Sequence, residues 1–133
     1  MPRPFRLMPD NPLESDRLEG IQNYLKRHPK VHLFIRINGG GGKLGNRWMW
    51  FYRLFQREKE TQNGKGVTDI IGMLKDGRFF AIEAKRHGEK PTEEQAGFIA
   101  MVRAAGGIAG VAETWSDVEK LLAGGLQVGC QSF

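Results

Sequence analysis

Between Gly66 and Lys85 the chain reads GVTDIIGMLKDGRFFAIEAK, two apolar runs joined at Asp76-Gly77. Asp-Gly between such runs selects a tight hairpin turn, because both residues tolerate the positive φ that twisted antiparallel strands require. Two adjacent antiparallel strands are therefore expected, and this stretch restricts the fold more than any other. The second run is apolar at Phe79, Phe80, Ala81, Ile82 and Ala84, so both of its faces should be covered. Glu83 sits in that run, and Lys85 follows two positions later on the same face. Charge in a covered strand is costly unless it is paired or binds metal. One reading is a same-face ion pair at the strand end, with Asp69 as a turn residue. The other is a cation site supplied by both strands.

The order Gly66-Val67-Thr68-Asp69, hairpin, Ile82-Glu83-Ala84-Lys85 resembles the D…(D/E)-x-K core of the PD-(D/E)XK nucleases, and the flanking residues resemble the VRR-NUC branch. Thr68 stands where the family name has proline. The resemblance runs from the helix containing Glu14 to the helix at Ser116. It implies an α/β fold with a restriction-endonuclease-like core, a central mixed β-sheet flanked by helices in αβββαβ order. The implied activity is metal-dependent endonuclease cleavage of branched or structured DNA, such as Holliday junctions or flaps, by a homodimer. Asp69, Glu83 and the Ala84 carbonyl would hold Mg²⁺ or Mn²⁺, and a glutamate of the first helix would complete the shell. Lys85 would act on the attacking water or the phosphate, and Gln95 would lie near the site. The alternative is a nucleic-acid-binding module that keeps the fold without cutting.

Composition is compatible with this reading. At 133 residues, one domain spanning the whole chain is expected, with 1–12 an extended arm and 124–133 a tail. The single cysteine, Cys130, excludes an internal disulfide and a cysteine-rich zinc site, which suits a reducing, cytoplasmic setting. No apolar run is long enough to span a bilayer, and MPRPFRLMPD lacks the apolar centre of a signal peptide. Twenty Lys and Arg against fifteen Asp and Glu leave a net charge of +5. The resulting pI near 9.6 favours a polyanionic partner such as DNA.

A helix is expected from Leu13 to Arg27, stopped by His28-Pro29 because the residue before proline avoids helical geometry. Leu18, Ile21 and Leu25 share one face, and Glu14 falls on it one turn earlier. Glu19 points elsewhere, so Glu14 is preferred as the helix acid; a plain dipole role in the first turn is open to it as well. VHLFIRI, Val31 to Ile37, reads as a strand. His28 and His32 have a helical ligand spacing, but Pro29 between them rules out a zinc pair.

Asn38 to Asn46, NGGGGKLGN, reads either as a mobile surface loop or as a loop whose backbone amides, with Lys43 and Arg47, approach a phosphate backbone; the Walker pattern fails for want of its Lys-Ser/Thr ending. Arg47 to Arg57 interleaves aromatics with arginines and is read as a core strand with basic flanks, one face of which would meet DNA. Lys43, Arg47, Arg53, Arg86 and Lys90 are the candidate DNA contacts. Glu58 to Lys65 is a polar turn. Thr92 and Gln95 form a capping box opening a helix that Gly106-Gly107 ends, so Gln95 has a local role beside its implied one. Gly107 to Ala112 follows as a strand, giving a parallel crossover, and Ser116 to Leu122 is a last helix capped by Ser116 and Glu119.

Overall fold

The structure, a computed structural model, describes residues 11–37, 41–50, 54–55 and 66–124. The expected arm before Asn11, the turn at 58–65, Tyr52, Arg53 and the tail beyond Gly124 lie outside the described residues. The elements follow as α1 (Glu14–Lys26), β1 (Val31–Arg36), β2 (Gly41–Leu44), β3 (Arg47–Trp50), β4 (Ile70–Leu74), β5 (Phe79–Ala84), α2 (Glu93–Ala104), β6 (Ile108–Ala112) and α3 (Trp115–Leu122). Four strands make one mixed sheet in the order β1-β4-β5-β6. The β1–β4 and β4–β5 pairs are antiparallel, whereas β6 joins β5 in parallel through the α2 crossover. With β2, β3 and α3 set aside, the order is the αβββαβ expected. Among the described residues, no helix is long and apolar enough to cross a membrane.

Alternation along β5 builds two cores. Phe80, Ile82 and Ala84 pack with Leu18, Ile21 and Leu25 of α1 and Val118, Leu121 and Leu122 of α3. Ala81 packs on the opposite face with Phe98, Ile99 and Val102 of α2. Five consecutive β5 residues are buried, which is why the run is apolar without alternation. Turn geometry agrees with the sequence: Gly77 takes φ 92° in the β4–β5 hairpin. Leu33, Ile35, Met73 and Phe79 remain exposed, and the register places them on one face.

Two expectations are corrected. The glycine-rich stretch is not simply a loop, since Gly41–Leu44 pairs antiparallel with Arg47–Trp50 as a separate two-stranded sheet. Arg47–Trp50 is accordingly no core strand: Leu44, Trp48 and Met49 are 70%, 59% and 45% exposed. The cause lies in the turn. Gly45 takes φ 63°, and once Gly45-Asn46 closes, the partner of β3 is whatever precedes it, glycines included. The start of α3 also differs, because the capping carboxylate is Asp117 rather than Glu119. Asp117 Oδ2 accepts from the Glu113 and Thr114 amides at 2.9 and 3.2 Å. The two Ser/Thr-x-x-acid patterns overlap, and the earlier start brings the Trp115 ring to 5.5 Å from Tyr24 of α1.

Gly72, in the middle of β4, is required by proximity. A Cβ there would stand 2.5 Å from both the Leu33 carbonyl oxygen and Phe80 Cζ, one a backbone atom of the neighbouring strand. We expect Gly72→Ala to cost about 1–3 kcal/mol by forcing the sheet and the Phe80 ring apart. Urea denaturation reads this directly, and an unchanged midpoint would contradict the packing described.

Candidate metal centre

The open end of the β4–β5 hairpin gathers the charged residues. Extending the Ile70↔Ile82 pairing by one step sets Asp69 opposite Glu83. Thr68 is fully buried, and its hydroxyl donates to the Ile70 carbonyl at 3.0 Å, which fixes the bend into Asp69. On one side the Ile37 amide donates to the Asp69 carbonyl at 2.7 Å. On the other, Asp69 Oδ2 accepts from the Ala84 amide at 2.9 Å. Gly66 lets the lead-in pass α2, since a Cβ there would lie 2.9 Å from Glu94 Cβ.

Glu14, the first residue of α1, completes the group: ligand oxygens of Glu14, Asp69 and Glu83 all lie within 4.8 Å of one another. Its position is held by Arg17, one turn on. Arg17 Nη1 donates to the Glu113 carbonyl at 2.7 Å, Nε to Pro12 at 3.2 Å and Nη2 to Asn11 Oδ1 at 3.1 Å. The helix start is thereby tied to the loop after β6. Glu19 is exposed and has no part in the cluster.

Electrostatics here is unfavourable as it stands. Glu83 is only 1% exposed, and its Oε2 has no hydrogen-bond partner. Burial pushes its carboxyl up to about 10; the hydrogen bond and the charge of Asp69 add to the rise, Lys85 opposes it, and Glu14 adds a little. Glu14 is also raised, chiefly by partial burial, with Asp69 and Glu89 contributing against Lys85. Lys85 makes its ion contact with Glu14, Nζ to Oε1 at 3.9 Å, rather than the expected pair with Glu83. Strand alternation does place Lys85 on the Glu83 face, but its long side chain reaches the neighbouring acid.

These groups suit a hard divalent cation. The donors are all oxygen, and two sites of one ion coordinated at ~2.1 Å lie up to ~4.2 Å apart, so small side-chain adjustments close the 4.8 Å cluster. The orphaned Glu83 oxygen is what such an ion would satisfy. Ala84, the expected carbonyl ligand, is held directly beside Asp69 by its own amide.

The remaining candidates divide. Gln95 completes the capping box: its amide donates to Thr92 Oγ1 at 3.2 Å and its Oε1 accepts from the Thr92 amide at 2.9 Å. Among the described residues no hydrogen bond joins it to the three carboxylates; the cap is the role its hydrogen bonds show. Lys43, Arg47 and Lys90 are exposed. Arg86 is half-buried and donates Nη2 to the Asn11 carbonyl at 3.0 Å. Arg53 lies outside the described residues. Asn11 and Arg17 were not singled out in the sequence, and only Arg17's place one turn after Glu14 hints at them.

Comparison with protein-family models, with curated proteins and with solved structures finds no match for this chain. The arrangement therefore has to be read from its own chemistry.

A protonated Glu83 sets a pH dependence. Its folded pKa lies above the unfolded value of 4.5, so the stability that its proton contributes is complete below 4.5 and is lost as pH rises toward about 10. Without metal, Glu83→Gln should therefore gain stability relative to wild type with increasing pH across that window. Saturating Mg²⁺ should reverse the ranking, because the ion stabilises only the ionised wild-type site. Thermal melts at several pH values check this; a pH-independent difference would contradict a protonated Glu83.

Proposed function

We propose that the chain is a Mg²⁺- or Mn²⁺-dependent DNA endonuclease of the VRR-NUC branch of PD-(D/E)XK nucleases, acting on branched or structured DNA. One observation supports this most: Glu14, Asp69 and Glu83, from a helix and two strands, converge within 4.8 Å with Lys85 at their edge. A structural ion pair would need one acid and one base, and it would gain nothing from three carboxylates around a buried unsatisfied oxygen.

In this reading Asp69 and Glu83 hold the cation, Ala84 offers its carbonyl, and Glu14 closes the shell at the solvent side. When bound, the ion lowers the pKa of a water and neutralises charge on the phosphate. Lys85, largely buried with its ammonium near Glu14, adds a fixed positive charge where the pentacoordinate phosphate forms. The hydrogen bond from the Ala84 amide keeps Asp69 oriented throughout. Exposed Lys43, Arg47 and Lys90 with the net charge of +5 supply affinity for the phosphate backbone that falls as salt rises.

The homodimer belongs to the same proposal. The strip of Leu33, Ile35, Met73 and Phe79 is the apolar surface a second copy would cover, so Ile35→Lys should weaken self-association in sedimentation. A molecular mass unchanged by that substitution would place any dimer contact elsewhere.

Cleavage of a junction, a flap and a plain duplex in Mg²⁺ and Mn²⁺ tests the activity. Asp69→Ala should abolish both metal binding, followed by calorimetry, and cleavage. Lys85→Ala should lower the cleavage rate by at least ~100-fold while leaving metal affinity within a few-fold. Absence of cleavage by the wild type in either metal, or intact activity of Asp69→Ala, would overturn the assignment.

A further inference from the structure

We propose that His87, oriented by Glu113, is a catalytic residue that protonates the leaving oxygen when the phosphodiester is cut. This rests on the nuclease reading and assigns the one step that the carboxylates and Lys85 leave open. Cutting expels an alkoxide, and an alkoxide needs a proton.

The ends of β5 and β6 set the placement. Their last paired rung joins Ala84 to Ala112, and just beyond it the Lys85 amide donates to the Ala112 carbonyl at 3.1 Å. Glu113 is the next residue after that rung on one side, and His87 follows Lys85 by two on the other. Two residues span at most ~7 Å, so the His87 backbone stays within that reach of Lys85. The side chains then meet across the gap, with His87 Nδ1 at 3.1 Å from Glu113 Oε1 and 3.3 Å from Oε2.

Both partners are already fixed by bonds that do not involve the ring. The His87 amide donates to Asn11 Oδ1 at 3.1 Å, and its carbonyl accepts from Asn11 Nδ2 at 3.4 Å. Glu113 donates its amide to Asp117 Oδ2 at 2.9 Å and accepts from Arg17 Nη1 through its carbonyl at 2.7 Å. The loop is thus tethered without the imidazole, and an exposed ion pair adds at most about 1 kcal/mol to stability. What the contact does decide is the state of the ring. An ionised carboxylate only accepts hydrogen bonds, so Nδ1 carries a proton toward Glu113 and Nε2 is the nitrogen left for a ligand. The His87 side chain is 79% exposed, which leaves that nitrogen open to a substrate lying over Lys85.

The chemistry follows from this arrangement. Water attacks phosphorus and releases one proton to solvent. The bond from phosphorus to the leaving oxygen breaks, the electron pair departs with that oxygen, and the oxygen takes the Nε2 proton. Glu113 stays ionised and faces the ring throughout, and the exposed ring regains its proton from solvent. Imidazole suits the task because its ordinary titration near neutrality lets it give and recover a proton in each cycle.

A flap cut in Mg²⁺ or Mn²⁺, compared with the same flap carrying sulfur in place of the leaving oxygen, tests the role, since a thiolate departs without a proton. His87→Gln should slow the oxygen substrate by ~100-fold or more and the sulfur substrate by no more than ~3-fold. Glu113→Ala should show the same selectivity, and adding it to His87→Gln should cause no further loss, because it acts through the ring. In the metal-free chain, nitrogen NMR should find the neutral His87 ring protonated at Nδ1, and at Nε2 in Glu113→Ala. Equal slowing of both substrates would overturn the proposal by marking His87 as a phosphate contact or a structural residue. Unimpaired cleavage of the oxygen substrate by His87→Gln, or a wild-type neutral ring protonated at Nε2, would overturn it as well. In each of those cases the nuclease reading survives, whereas failure of the wild type to cut either substrate would defeat that reading and the role of His87 with it.

Discussion

Three carboxylates crowded around one buried oxygen are the constraint from which the rest of the structure takes its sense. Like charges this close repel, and burial removes the water that would screen them, so the cluster exists only with a proton or a cation in it. Without metal, Glu83 carries the proton, which is what a carboxyl pushed up to about 10 amounts to. A divalent ion offers two positive charges where the proton offers one. The unfavourable site is thereby also a poised one, and the fold supplies the rigidity to hold it.

That rigidity comes from elements far apart in the chain. Asp69 is fixed by the Ile37 amide donating to its carbonyl, the Ala84 amide donating to its carboxylate, and the buried Thr68 beneath. Glu83 rides on a strand covered on both faces by the α1–α3 and α2 cores. Glu14 arrives on a helix whose first turn Arg17 bolts to the loop after β6. Packing close enough to exclude a methyl group at Gly72 keeps β1 and β4 in register with the site. The cluster is therefore an outcome of the whole sheet rather than of one motif.

Much of this was legible in the sequence, for physical reasons. Asp76-Gly77 between apolar runs specified the hairpin, and that hairpin by itself sets Asp69 opposite Glu83. The 3.6-residue phase of Leu18, Ile21 and Leu25 chose Glu14 over Glu19, since a helix packed by that face must present Glu14 to the sheet. What escaped depended on contacts that local pattern does not encode. Glycines have no side chain to announce a strand, so β2 was visible only through its partner. Overlapping cap signals near Ser116 resolved to Thr114 and Asp117, an earlier start than the local pattern at Ser116 and Glu119 indicated. Lys85 turned to Glu14 instead of Glu83 because a flexible ammonium follows the nearest reachable carboxylate, not the strand face.

The central claim is that these carboxylates form a divalent-metal centre, and anomalous scattering from crystals soaked in Mn²⁺ tests it most directly. The account predicts one strong peak bonded to Asp69 and Glu83 with Glu14 and the Ala84 carbonyl adjacent, and its loss in Asp69→Ala. A cluster that stays free of manganese at millimolar concentration, with Glu83 still hydrogen-bonded to Asp69, would contradict it.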